Sequence, residues 1–283
     1  MSRTQQPFAA IAIAVLLSLR FAATQEPEKP ATSVKRGELT EAQVAAYANR
    51  VEYFAKWPCL APDLDWRTAL ADWLAEAEPK WSQGFEELII RDALRDMKGG
   101  FYLDVGCAWP RTMNTSYYLE ENLHWTGIGV DANPTYAEAW RKTRPNSKFL
   151  SFAITDTDGE KVTFYVGQFS SLDKKAAEGI AWDGNVVEIR TTTITLNTLL
   201  ERNGVEKIDF LSMDIERYET PALKGFDIQR YRPDLCCIEC LVVGEEEKEA
   251  WLLEYFTSNG YEWIEKYRKA DKVNLYYRPA MRK

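Results

Sequence analysis

The sequence predicts an α/β protein built on a doubly wound, mostly parallel sheet, and three observations carry that prediction. From Phe101 onward, short apolar runs alternate with helical segments, the pattern of a parallel-dominated sheet. The first run, Phe101–Val105, leads into Asp104-Val105-Gly106, and the second, Thr126–Val130, ends at Asp131 about one βαβ unit later. A strand-end glycine followed by a later strand-end acid is the nucleotide half-site of such folds. The glycine lets a ligand approach the backbone, and the acid is placed to bond ribose hydroxyls.

The remaining elements follow in order. A helix from about Phe85 to Met97 stops at Gly99-Gly100. After Asp131, Asn133-Pro134 supplies an N-cap and a first-turn proline for the next helix. A third strand is expected over Lys148–Ile154, leading through Asp158-Gly159 into Val162–Val166 as an inserted antiparallel excursion. Ile208–Met213 and Leu235–Cys240 read as the fourth and fifth strands. A helix near Lys248–Asn259 then precedes a closing antiparallel pair, Tyr261–Tyr267 and Asn274–Arg278.

The turn after the first strand narrows the ligand. It lacks the remaining glycines of GxGxxG, with Trp109 and Pro110 where a pyrophosphate loop would open a helix. A ligand with adenosine but no phosphates tolerates that loss, so S-adenosylmethionine is expected and a nicotinamide dinucleotide is not. In open α/β sheets, ligands sit outside the carboxyl ends of the strands. Those ends carry Asp104 and Gly106, then Asp131, Ala153 with Ile154, Asp214 with Glu216, and Glu239. Asp104 and Gly106 are expected to shape a methionine pocket, Asp131 to hold the ribose, and Ala153 and Ile154 to border adenine.

Asp214 and Glu216 flank Ile215, so a continuing strand would put both on one face, with Glu239 beside them if the fourth and fifth strands are neighbours. Three such carboxylates can deprotonate an acceptor hydroxyl, attract a sulfonium cation or chelate a hard metal. Base or acceptor binding is preferred, and no metal ligand is assigned. His124, the single histidine, precedes Trp125 in a loop, which argues against a catalytic triad or a His-ligated metal. The five cysteines, Cys59, Cys107, Cys236, Cys237 and Cys240, have no metal-finger spacing, and the adjacent Cys236 and Cys237 should point to opposite faces of a strand.

A net charge of −8 with no basic block argues against nucleic acid as a partner. At the N-terminus, Phe8–Leu19 is an uncharged apolar run of signal-peptide length, preceded by Arg3 and followed by Ala22, Ala23 and Thr24. It is shorter than the ~20 residues that span a bilayer. Residues 1–24 are therefore expected to export the protein to a secreted, periplasmic or lumenal location, with cleavage near Ala22–Gln25. The alternatives are an organellar targeting peptide or an uncleaved anchor. Arg20, Lys29, Lys35 and Arg36 after the run would leave an anchored domain cytosolic, the one case in which a membrane is a partner. Residues 25–38 read as a linker and 39–80 as a helical extension.

Several runs together resemble the FkbM-type methyltransferases: Ser82–Glu87, Gly100–Gly106, Tyr117–Leu123, Trp125–Ile128, Asp131–Pro134, and then Ile208–Glu216 with Leu223–Phe226. The resemblance spans about Trp81 to Cys240, within a domain of residues 81–283. It implies a class I, Rossmann-like methyltransferase fold and methyl transfer from S-adenosylmethionine, usually to a hydroxyl of a sugar or polyketide-like acceptor. This chain departs from the family at two places. Gly106-Cys107-Ala108-Trp109-Pro110 replaces Gly-Ala-Asn-x-Gly, and Asp214-Ile215-Glu216-Arg217-Tyr218-Glu219 replaces Asp-x-Glu-Gly-Ala-Glu. The expected activity is O-methylation of a carbohydrate-like or small-molecule acceptor. A non-catalytic, exported glycan- or protein-binding module on the same fold is the alternative.

Overall fold

The computed structural model describes residues 81–280, except 85, 168, 179–185, 242, 243, 270 and 272. The expected export signal or anchor, linker and helical extension, and Cys59, lie outside these residues. Among the described residues, no helix is long and apolar enough to cross a membrane.

Helix α1 (Glu86–Leu94) leads into β1 (Phe101–Val105), α2 (Tyr117–Leu123) and β2 (Thr126–Asp131). Asn133 caps a 3₁₀ turn at Pro134–Tyr136 by accepting the Thr135 N–H, and α3 (Ala137–Thr143) and β3 (Ser147–Ser151) follow. An excursion comprises β4 (Ala153–Ile154), β5 (Lys161–Val166), α4 (Lys174–Glu178) and β6 (Val187–Ile194). The chain returns through α5 (Leu196–Arg202), β7 (Phe210–Met213), α6 (Glu219–Lys224), α7 (Ile228–Tyr231) and β8 (Leu235–Glu239). It closes with α8 (Glu246–Ser258), β9 (Tyr261–Trp263), a 3₁₀ turn at Glu265–Lys269 and β10 (Asn274–Pro279).

The main sheet has the order β3-β2-β1-β7-β8-β10-β9. Its first five strands are parallel; β10 runs antiparallel to β8, and β9 antiparallel to β10. Alternation along each strand feeds two cores. Leu103, Val105, Leu211 and Cys236 join one cluster with residues of α5 to α8, while Tyr102, Phe210 and Cys237 join another with residues of α1 and α2. Helices thus cover both faces, and Cys236 and Cys237 do point opposite ways. Their thiols are buried and free.

The chain winds outward from β1 through β2 to β3, then crosses back to place β7 on the other side of β1. The carboxyl ends of β1 and β7 therefore flank the topological switch point, where such sheets bind ligands. Three strand expectations need adjustment. The run expected as one strand over Lys148–Ile154 breaks at Phe152, because Ala153 and Ile154 leave the main sheet and pair with Thr193 and Ile194 of β6. β4, β6 and β5 form a separate three-stranded sheet in which β5 is antiparallel to β6. The fourth strand starts at Phe210, and the strand expected over Tyr261–Tyr267 ends at Trp263, where the chain turns into the second 3₁₀ segment.

Candidate active site

Gly106 ends β1 with φ of +84°, and a Cβ there would lie 1.7 Å from the Asp214 carbonyl oxygen. Glycine is thus demanded by the passing end of β7 as well as by backbone conformation. Besides the ligand approach expected of it, this glycine lets the two strand ends meet at the switch point.

Asp104 is buried and committed. Its Oδ2 accepts from Ser116 Oγ at 2.7 Å and from Asn114 Nδ2 at 3.2 Å, and Asn114 also donates to the Cys107 carbonyl at 3.0 Å. Burial raises its pKa, against the pull of the Ser116 bond. Arg144, following α3, lies beneath this loop, 1% exposed. It donates to Glu120 Oε2 at 2.6 Å, the Pro110 carbonyl at 2.9 Å, Asn114 Oδ1 at 3.1 Å and the Ser116 carbonyl at 3.3 Å. Asp104 therefore shapes the 107–116 loop through this network, and Arg144, which holds the loop from beneath, is a residue that sequence reasoning missed.

Asp131 stands at the carboxyl end of β2, half-buried. Oδ1 accepts the Asn133 N–H at 2.8 Å and Oδ2 the Ala108 N–H at 3.1 Å. Burial pushes its pKa up to about 6, with the backbone bonds of Asn133 and Ala108 opposing. Beside it, Trp109 is 45% exposed and meets Tyr136 edge to face at 5.0 Å, an apolar wall next to a carboxylate. Ala153 and Ile154 are both buried in β4; Ala153 packs with Ala132, just past Asp131, whereas Ile154 belongs to the larger core.

The expected carboxylates do converge, but by a different geometry. β7 stops at Met213, and Glu216 and Arg217 take φ of +54° and +80°. The condition for a shared face of Asp214 and Glu216, a continuing strand, is not met, because β7 ends at Met213 and Glu216 itself enters the turn. The tight turn is secured by Ser171 Oγ donating to the Glu216 carbonyl at 2.8 Å and by the Ile215 N–H donating to Glu219 Oε1 at 2.9 Å. Asp214, Glu219 and Glu239 then bring oxygens within 4.8 Å of one another; Glu219 and Glu239 are buried, while Asp214 keeps an open face. Desolvation by the packed strand ends around the carboxyl, then the charge on Glu219, push Asp214 up to about 7 even though one face of it stays open. Glu216 and Glu239 are held well above the carboxylate range by burial and then by the Asp214 charge.

Lys248 of α8 joins this cluster, its Nζ 2.7 Å from Glu219 Oε2, 3.3 Å from Glu245 Oε2 and 3.5 Å from Glu239 Oε2. Burial works to lower its pKa, but the surrounding glutamates outweigh that and raise it. The spacing of the three carboxylates suits a divalent cation, yet the ammonium already lies within ion-pairing distance of two of them. Neither Glu219 nor Lys248 was a sequence-level candidate, although Lys248 is the one cation within Glu245–Glu249. His124 caps the C-terminus of α2 at φ +59°, away from this chemistry by role.

No curated protein of similar sequence was found. Among solved structures, a TehB-like SAM-dependent methyltransferase from Corynebacterium glutamicum is 13% identical, covering 83% of this chain and 100% of its own at a TM-score of 0.40. A precorrin-6y C5,15-methyltransferase from Geobacter metallireducens is 10% identical (69% of this chain, 87% of its own, TM-score 0.40). A SAM-dependent methyltransferase from Thiobacillus denitrificans, solved with S-adenosyl-L-homocysteine, is 12% identical (65% and 66%, TM-score 0.32). The decisive match is to the methyltransferase FkbM domain, which aligns with residues 104–263, more than half of the chain and the whole span from the β1 acid to β9. The chain therefore belongs to the FkbM methyltransferase family, and with membership come methyl transfer as its activity and S-adenosylmethionine as its cofactor.

Proposed function

We propose that the protein is an O-methyltransferase that methylates a hydroxyl of a carbohydrate-like or small-molecule acceptor, with Asp214 as the general base. One observation carries this reading: at the switch point, against the loop that follows β1, Asp214 is the open member of a carboxylate cluster with Glu219 and Glu239, and its pKa is raised to about 7. A base of that strength is matched to work near neutral pH.

The residues present fit the cofactor. Each Asp131 oxygen takes one backbone N–H and retains capacity for a ribose hydroxyl, and Trp109 and Tyr136 give the adjoining apolar wall. When bound, S-adenosylmethionine supplies an electrophilic methyl carbon on a sulfonium. Asp214 would take the proton from the acceptor hydroxyl, leaving its oxygen as the nucleophile. Glu239 and Glu216 orient the acceptor, and the fixed alignment of acceptor and cofactor supplies much of the rate. Lys248 keeps the buried glutamates from repelling one another apart.

Asp214→Asn is expected to reduce turnover by roughly 10²–10⁴-fold, the span of general base catalysis, with S-adenosylhomocysteine affinity nearly intact. Glu239→Gln should do the same more mildly. Methyl transfer to a panel of hydroxylated sugars and phenols, followed over pH 5–9, measures both, and the acidic limb near pH 7 should vanish in Asp214→Asn. Unchanged turnover would remove Asp214 from the mechanism. An equal loss of cofactor affinity would assign it to the sulfonium pocket, and a requirement for added Mg²⁺ would assign the cluster to a metal.

A further inference from the structure

Besides Arg144 beneath it, the 107–116 loop itself carries an arginine, Arg111, whose hydrogen-bonding edge meets no acceptor among the described residues. Arg111 is 7% exposed. Its guanidinium lies over the Trp81 ring at 4.5 Å and 5.9 Å from the Tyr117 ring, with those two rings packed edge to face at 4.9 Å. Aromatic faces satisfy the flat side of the guanidinium and leave its in-plane N–H groups untouched. Two of them, on Nε and Nη2, are buried without any hydrogen-bond acceptor.

These two nitrogens share one edge, the edge that matches the two oxygens of a carboxylate. The same chain shows it in use: Arg91 donates from Nε to Asp96 Oδ1 at 2.9 Å and from Nη2 to Asp96 Oδ2 at 3.2 Å. Arg111 has no such carboxylate among the described residues. A buried donor pair on a full charge is expensive to leave unmet, so its presence in the loop that follows β1, whose end flanks the switch point, argues for an acceptor delivered by a ligand.

We propose that Arg111 is a carboxylate-recognition residue, receiving the carboxylate of a bound small molecule in a bidentate pair on the Nε–Nη2 edge. The proposal deepens the methyltransferase reading and rests on it for the identity of the ligand. Two sources share the chemistry: the amino-acid carboxylate of S-adenosylmethionine, or a carboxylate on an acidic acceptor such as a uronic acid.

Isothermal titration of the full chain with three probes decides between them. S-adenosylhomocysteine has the amino-acid carboxylate, 5′-methylthioadenosine has the same adenosine and thioether without it, and glucuronate offers a sugar carboxylate alone. If the carboxylate is the cofactor's, Arg111→Gln should bind S-adenosylhomocysteine roughly 10–100-fold more weakly, the scale of a lost charge-assisted pair, and 5′-methylthioadenosine as wild type does. Arg111→Lys, which keeps the charge above Trp81 but not the fork, should recover only part. If it is the acceptor's, S-adenosylhomocysteine binding is unchanged and saturable glucuronate binding by wild type is lost in both variants. Thermal melts confirm that the variants are folded, and Arg111→Lys serves if Arg111→Gln is not. Nucleoside binding indifferent to Arg111, with no Arg111-dependent glucuronate binding, overturns the proposal. Wild type that binds neither nucleoside overturns the cofactor reading instead, and the glucuronate arm then decides the role of Arg111 alone.

Discussion

Replacing Arg144 with methionine should cost about 3–5 kcal/mol of stability, because it strands a buried partner in place. Arg144 and Glu120 have side chains 1% and 6% exposed and meet at 2.6 Å. Removing the guanidinium leaves the Glu120 carboxylate without its counterion and strips donors from the Pro110 and Ser116 carbonyls and Asn114 Oδ1. At the usual conversion for a unit of this size, the midpoint of thermal unfolding should fall by roughly 6–20 °C. The same bonds pin the 107–116 loop, so S-adenosylhomocysteine affinity should fall with stability. Adding Glu120→Met to Arg144→Met should restore part of the loss, since an apolar pair avoids the uncompensated charge. A single variant as stable as wild type in a melt would show that the network is not what holds the loop.

Lys248→Met should have an effect of similar size, and it should depend on pH. The variant leaves Glu219, Glu239 and Glu245 around a cation site with no cation in it. At pH 8 the expected loss is about 3–5 kcal/mol, whereas near pH 5 Glu239, whose pKa burial and the Asp214 charge hold up, carries a proton and the loss shrinks. The wild type already leans this way. Asp214 is raised to about 7 and Glu216 and Glu239 higher still, against roughly 4 for unfolded carboxylates, so the native state binds more protons than the unfolded one across that window. The contribution of these groups is therefore fully present below pH ~4 and is lost as pH rises through about 7 and beyond. Urea unfolding at pH 5, 6.5 and 8 measures both effects. Stability that rises with pH in the variant would contradict the charge balance drawn for the cluster.

Arg217 poses a local question that bears on the same turn. Its φ of +80° is glycine territory, yet the residue is an arginine. Arg217→Gly should leave the turn geometry unchanged while relieving strain of order 1 kcal/mol. A loss of stability in the same unfolding experiment would mean that the arginine side chain holds the turn.

Much of the fold could be read from the chain because its signals are local. Strand-end acids after apolar runs located Asp104, Asp131, Asp214 and Glu239, and strand alternation placed Cys236 and Cys237 on opposite faces. What could not be read depends on contacts between distant segments. Arg144 meets Glu120 across 24 residues, and Lys248 reaches Glu219 across 29. β6 escaped because Thr191-Thr192-Thr193 lacks an apolar run, and its place is set by pairing with β5 and β4, which are distant in sequence. Glu216 was assigned to the wrong geometry because strand periodicity was extended past Met213, where two residues turn into the left-handed region.

The central claim is that the carboxyl ends of β1 and β2 hold the adenosyl cofactor through Asp131. Isothermal titration of the full chain with S-adenosylhomocysteine, wild type against Asp131→Ala, tests it most directly. Saturable binding that weakens by roughly 1–3 kcal/mol in the variant, the scale of a lost hydrogen bond to a charged group, is the predicted result. No detectable binding to wild type at millimolar ligand, or binding indifferent to Asp131, would contradict it.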